Sequence, residues 1–116
     1  MLLIGLTLGT IDAQQRVPPG PVVAQIEPRL AERNLRQKVA PQYPDSAREA
    51  RVQGVVRVVV RIGSDGRIQE ARVVRGPAML REAALSAVER WVYDPFVRNG
   101  QAVPVMTEID VPFTLR

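Results

Sequence analysis

Val55-Val56-Arg57-Val58-Val59-Val60-Arg61-Ile62, then Gly63-Ser64-Asp65-Gly66, then Arg67 to Arg75, is the stretch on which the fold turns. In its first part Val56, Val58, Val60 and Ile62 alternate with Arg57, Val59 and Arg61. That period of two puts one face of a β-strand in a core and the other toward water. Gly63 to Gly66 supplies residues able to take positive φ, so the chain reverses and Arg67–Arg75 returns antiparallel to its predecessor. Ile68 is out of phase with Ala71 and Val73, which predicts a bulge near Gln69 or Glu70.

Toward the C-terminus, Gly76-Pro77 ends the hairpin, and Leu80, Ala84, Ala87, Val88 and Trp91 recur at the spacing of one helical face. Arg81, Glu82, Glu89 and Arg90 take the opposite side. Asp94-Pro95 disfavours helical geometry before the proline and is expected to stop the helix. Val97 to Gln101 reads as a turn, and a last strand follows. In it Thr107, Ile109, Val111, Phe113 and Leu115 share a face, while Met106, Glu108, Asp110, Pro112 and Thr114 share the other. A proline cannot donate to a ladder, so Pro112 places this strand at a sheet edge, and charges on an edge discourage unwanted pairing.

Toward the N-terminus, Tyr43 to Gly54 reads as a two-turn helix, with Pro44 at its first position, acids near its positive end and Gly54 as a left-handed cap. The order helix, strand, strand, helix, strand predicts an α+β fold: a small antiparallel three-stranded sheet with two helices packed on one face. A dozen buried aliphatic side chains, at ~1.5–3 kcal/mol each, match the chain entropy of a domain this small in scale.

The 116 residues suffice for one domain. With 46% hydrophobic and 24% charged residues, the composition is globular. Residues 39–116 are expected to form the domain. Residues 14–38 read as a Pro-rich linker (Val17-Pro18-Pro19-Gly20-Pro21) with a short helix between Glu27 and Lys38 that starts at Pro28. Residues 1–13, with the apolar run Met1 to Leu8 and Ala13 at a cleavage-like position, read as a signal-peptide remnant, as the product of a wrongly chosen start, or as a disordered or locally packed N-terminus. The apolar run is far below the ~20 residues of a spanning helix.

Chemistry is bounded as sharply as fold. Neither Cys nor His occurs, which removes thiol nucleophiles, disulfides, most zinc sites and the usual neutral-pH base. Fifteen arginines and the single Lys38 stand against 12 acids for a net charge of +4. The basic residues are scattered and often adjoin acids, so a solvated surface is the expected reading and no nucleic acid the expected partner. Arg57 and Arg61 read as a wet sheet face rather than phosphate contacts. Glu108 and Asp110 could in principle hold a hard cation, but a site needs about six oxygens or a preformed loop. No cofactor, metal or enzymatic activity is expected.

The run Pro41-Gln42-Tyr43-Pro44 with Ala47 and Gly54, the Asp65-Gly66 turn, and Ala83-Ala84-Leu85-Ser86-Ala87-Val88 leading into Trp91-Val92-Tyr93-Asp94-Pro95 resemble the TonB C-terminal domain family. Asn99-Gly100 and Val111-Pro112-Phe113-Thr114-Leu115 complete the resemblance, which covers about Val39 to Arg116. It implies a non-catalytic periplasmic energy-transducer domain that binds the N-terminal TonB box of outer-membrane transporters by strand addition, supporting uptake of siderophores, cobalamin or similar cargo. The positions it carries over are Gln42, Tyr43 and Pro44 with Met106, Thr107, Glu108, Ile109, Asp110 and Val111. Strand addition to an exposed edge agrees with the position that Pro112 assigns to the last strand.

Full transducers carry a membrane anchor that meets an inner-membrane motor complex, a partner expected here only if an anchor is supplied. A fragment, a mis-started chain or a soluble relative would each fit. Read from the residues alone, Tyr43 serves equally well as a packing staple at a helix entry, and Trp91 and Tyr93 read as core. A self-associating domain that forms a homodimer through its edge strand, and a basic nucleic-acid-binding domain, are the alternatives.

Overall fold

The computed structural model describes residues 24–115. Expectations for residues 1–23 lie outside the described residues. Eleven elements follow in order: β1 (Ala24–Gln25), α1 (Pro28–Glu32), β2 (Leu35–Gln37), α2 (Asp45–Glu49), β3 (Gly54–Ile62), β4 (Ile68–Arg75), α3 (Ala78–Val88), β5 (Val92–Tyr93), β6 (Phe96–Arg98), β7 (Gln101–Val103) and β8 (Val105–Phe113). No helix among the described residues is long and apolar enough to cross a membrane.

The valine run forms the central strand, because only β3 is hydrogen-bonded on both sides along its length. The main sheet has the order β1-β8-β3-β4. β3 is antiparallel to β4 and to β8, and its register with β8 runs unbroken from Gly54↔Phe113 to Ile62↔Val105. Val56, Val58, Val60 and Ile62 are wholly buried and meet Val111, Ile109, Thr107 and Val105 on the inner face. The expected bulge is present: Arg61 pairs Glu70 and Ile62 pairs Ile68, which leaves Gln69 extra, and a second shift between Arg57 and Val58 leaves Val74 extra. The extra Gln69 brings Ile68 into phase with Ala71 and Val73, so that all three pack against the core.

The sheet therefore has a fourth strand where three were expected, and β8, expected at the edge from Pro112, is second in the order and is open on its outer side only beyond the two residues that β1 pairs. β1 is a two-residue parallel strand on the outer side of β8, with Ala24↔Val105 and Gln25↔Met106. Its residues carry no alternation that would mark a strand, since two residues span less than one pleat repeat. Two further small sheets, β2 with β5 and β6 with β7, lie outside the main one. The expected turn at 97–101 is the tip of the β6–β7 hairpin, with Asn99 and Gly100 both at positive φ as a type I′ turn demands.

Two helix ends differ from expectation. α2 begins at Asp45, with Pro44 at the N-cap position, and closes by a Schellman motif in which Val52 N–H donates to Ala47 C=O (2.8 Å) and Arg51 N–H to Arg48 C=O (3.0 Å). The left-handed residue is Arg51 (φ +56), not Gly54, which already opens β3. α3 stops at Val88, well short of Asp94. Trp91 lies past its end, and the chain then extends as β5 because Tyr93 N–H donates to Gly66 C=O (2.8 Å). Leu80, Ala84, Ala87 and Val88 are the buried face of α3, as their spacing predicts.

Candidate partner-binding edge and groove

The outer side of β8 is built by the parity of its backbone. Ile26 N–H donates to Met106 C=O (2.8 Å), so the peptide groups of Met106 point away from β3. Successive residues of a strand alternate in this direction. With the β3–β8 register unbroken, Glu108 and Asp110 also direct N–H and C=O outward, and Pro112 directs its C=O alone. The N–H that Pro112 lacks is one that would have faced away from β3, so the ladder loses nothing there. Thr107, Ile109 and Val111 turn their backbone to β3 and their side chains to the core, at 6%, 7% and 3% exposure.

Within Met106–Val111, then, only Met106, Glu108 and Asp110 present bonding groups to a neighbour. Met106 is taken up by β1, and the Thr107 Oγ1 hydroxyl reinforces that contact by donating to Ile26 C=O (2.8 Å). Beside Glu108, Ile109 and Asp110 lies a cleft of about 200 Å³, bounded on its far side by Pro28, Arg29, Ala31 and Glu32 of α1 and floored by Leu35, Trp91 and Tyr93. Lys38 stands at its rim, with Nζ 5.5 Å from the centre of the Trp91 ring. Trp91 Nε1–H donates to Val39 C=O (2.9 Å), which ties the segment after β2 to the floor.

Glu108 and Asp110 send their side chains across the outer face of the sheet toward β3. Arg57 lies opposite Asp110 and grips it with Nε to Oδ1 at 2.8 Å and Nη2 to Oδ2 at 3.1 Å, with Glu108 Oε1 3.5 Å from Nη1. That hydrogen-bonded pairing holds the Asp110 carboxyl below the usual aspartate range and raises the Arg57 guanidinium above its own. The three groups are about half exposed, so the network contributes little to stability. Its consequence is positional: both carboxylates are drawn back from the open edge. Tyr93, buried beneath the cleft, has its phenol pushed up to about 12 by burial and, to a smaller extent, by nearby Glu32.

Gln42, Tyr43 and Pro44 stand elsewhere. They line a broad open groove between α2 and α3, together with Arg48, Met79 and Arg90. Tyr43 connects the two regions: its ring meets Phe113 at the end of β8 edge-on, 5.5 Å between centres, and its hydroxyl donates to Val52 C=O. Tyr43 is half-buried and is held by packing while it also lines the groove, and Gln42 is exposed. Leu35 and Lys38 were not among the site positions the sequence offered, and Arg57 was read as part of a wet sheet face and not as a partner of Asp110. For Arg57 a signal existed, since it and Asp110 are opposite charges on the polar sides of two strands. Only the knowledge that β8 lies against β3 pairs them.

The geometry amounts to a strand edge with outward donors and acceptors, an apolar floor and a charged rim, which is equipment for holding an extended chain. The family described as the C-terminal region of the Gram-negative bacterial TonB protein matches residues 39–115. The solution NMR structure of the TonB C-terminal domain of Pseudomonas aeruginosa is similar, with a TM-score of 0.60 and 26% identity over 71% of this chain and 85% of that one. No curated protein matches. With a family match spanning well over half of its length, and a fold shared with a solved member, the chain belongs to the TonB C-terminal domain family.

Proposed function

We propose that this chain is a periplasmic peptide-binding module that takes up the N-terminal TonB box of an outer-membrane transporter as an added strand on β8. The family serves energy transduction to outer-membrane transporters and is a non-enzymatic periplasmic domain of Gram-negative bacteria. The observation that carries the reading is the outward-facing N–H and C=O of Glu108 and Asp110, which no strand among the described residues pairs. A bonded neighbour at these two residues satisfies groups that otherwise need water. Cargo of the siderophore or cobalamin kind follows from the transporter class, and force is transmitted only where an anchor joins the domain to an inner-membrane motor. Gln42 and Pro44, on the α2–α3 groove, serve as a second contact for chain that continues past Phe113.

The test is titration of the chain with synthetic N-terminal peptides of the host's outer-membrane transporters, followed by backbone amide shifts in NMR. Shifts should concentrate at Met106, Glu108 and Asp110, the outward-facing amides, and be smaller at Thr107, Ile109 and Val111. Saturable shifts confined to β4, or none with any peptide, would sink the proposal.

A further inference from the structure

We propose that residues 24–33 form a displaceable strap: β1 and α1 occupy the edge of β8 that a partner strand needs, and they must swing away about Asn34 before it can bind. The inference rests on β8 being the partner edge and concerns the regulation of that same site.

Occupancy comes first. β1 pairs in parallel with Val105 and Met106, and Ile26 continues it to the level of Thr107. α1 then stands over Glu108 to Asp110 and leaves a cleft of about 200 Å³ between itself and the strand. A bound peptide strand has to sit about 4.7–4.9 Å from β8 along several residues. α1 lines the far side of that cleft, on the side of β8 where an added strand would lie, so the edge is accessible to a full strand only after α1 moves.

Attachment comes second. The strap is held to β8 by one short ladder, the Ile26–Met106 bond and the Thr107 hydroxyl. Of α1 only Ala31 is buried, while Leu30 is 50% exposed. A five-residue helix is far below the length that sustains itself in water. Behind the strap the attachment is firmer. Asp94 N–H donates to Asn34 C=O (2.7 Å), Asn34 Nδ2 donates to Asp94 and Pro95 C=O (3.1 and 3.3 Å), and β2 pairs β5. The fixed point is therefore Asn34. Because the strap stays tethered there, it competes at the high effective concentration of an intramolecular ligand and sets the affinity a partner must exceed.

Gln25 and Met106 are register partners, and the chain has no cysteine of its own, so a Gln25→Cys/Met106→Cys pair can lock the strap in full-length protein. The probe is the transporter peptide that gives the strongest amide shifts with the unaltered chain. If the strap must move, the oxidised variant should bind it at least tenfold more weakly than the same variant reduced, and Thr107→Val, which removes the hydroxyl from Ile26, should bind it several-fold more tightly than the unaltered chain. Equal binding in both redox states, with shifts at Glu108 and Asp110, overturns the strap and leaves strand addition standing. No binding by either state or by the unaltered chain overturns strand addition, and the strap's role with it. A readout without peptide is amide exchange: the Ile26 amide should exchange at least about 100-fold faster than that of Val58 in the central strand. Equal protection of the two would show a strap that does not open.

Discussion

Gly66 and Gly100 have nearly the same backbone, φ +85 and +80, yet replacing each with alanine is expected to give very different results. At Gly100 an added Cβ meets nothing within 4 Å, so the cost is the strain of a left-handed alanine, about 1 kcal/mol. At Gly66 the Cβ would fall 1.8 Å from Tyr93 O and 2.9 Å from its carbonyl carbon. Those are backbone atoms that no rotamer change can move, so the β3–β4 turn and β5 must separate. Separation gives up the Tyr93 N–H to Gly66 C=O bond, about 1 kcal/mol net or up to ~3 if a group is left buried and unpaired. It also opens part of the packing around Tyr93, which is only 2% exposed and whose full burial is of order 1.5–3 kcal/mol. With the strain included, Gly66→Ala should lose about 3–5 kcal/mol, a large share of the ~5–15 kcal/mol by which small domains are stable. Urea unfolding followed by the fluorescence of Trp91, the chain's one tryptophan, reads the difference. With a slope of about 1–3 kcal/mol per molar, the Gly66→Ala midpoint should fall about 0.7 M or more below that of Gly100→Ala. Coincident midpoints would refute the argument that the turn is held against β5 by close backbone approach.

Three further outcomes follow from single contacts. Tyr43→Phe keeps the edge-on contact with Phe113 and loses the bond to Val52 C=O, so it should cost about 1 kcal/mol in the same urea assay, whereas Tyr43→Ala, which loses both, should cost clearly more. The Asp110 carboxyl, held low by Arg57, should titrate below the ordinary aspartate range when followed by carboxyl-carbon NMR, and Arg57→Gln should return it toward that range. Since its folded pKa is depressed, the pair's small contribution is present at neutral pH and is lost as pH falls through the folded value; an unchanged titration in Arg57→Gln would rule out the coupling. Tyr93, whose phenol is raised to about 12, should make the fold weaken with alkali: between pH 10 and about 12 the unfolded chain ionises while the folded one keeps its proton. Tyr93→Phe should flatten that alkaline loss in thermal melts at successive pH values.

Much of the domain was legible from local pattern. The period of two in Val56 to Ile62 named an inner face correctly, that in Thr107 to Phe113 grouped the residues that prove to be buried, and the phase error at Ile68 located a real bulge, because side-chain direction along a strand is a local property. The apolar spacing of Leu80 to Val88 located α3 for the same reason. Pro112 predicted an edge position that β8 holds only in part: β1 pairs its first two residues, which makes β8 second in the strand order, and the outward direction of the Pro112 backbone lies on the stretch that β1 leaves open. What failed was decided elsewhere in space. Trp91 continues the spacing of α3 but lies beyond it, since Gly66 and β2 draw the following residues into extended pairing. Gly54 offered a cap that Arg51 took. The fourth strand was invisible, for Ala24 and Gln25 became β-structure only because Met106 offered unpaired groups.

The family motif at Gln42-Tyr43-Pro44 and the edge at Met106 to Val111 marks the limit. Sequence could name both but not their relation: one lines the α2–α3 groove, the other borders the cleft beneath α1, and Tyr43 touches β8 only at Phe113. By itself the sequence determined which residues face inward on each element, where the main hairpin turns, and that the chemistry lacks thiol and imidazole, because these depend on side-chain type and on spacing along the chain. Only the tertiary structure decided the strand order, the Arg57–Asp110 pairing and which segment rests against β8. Backbone donors and acceptors are alike at every residue, so the neighbour of an open edge is chosen by proximity in the fold and not by any code in the strand itself.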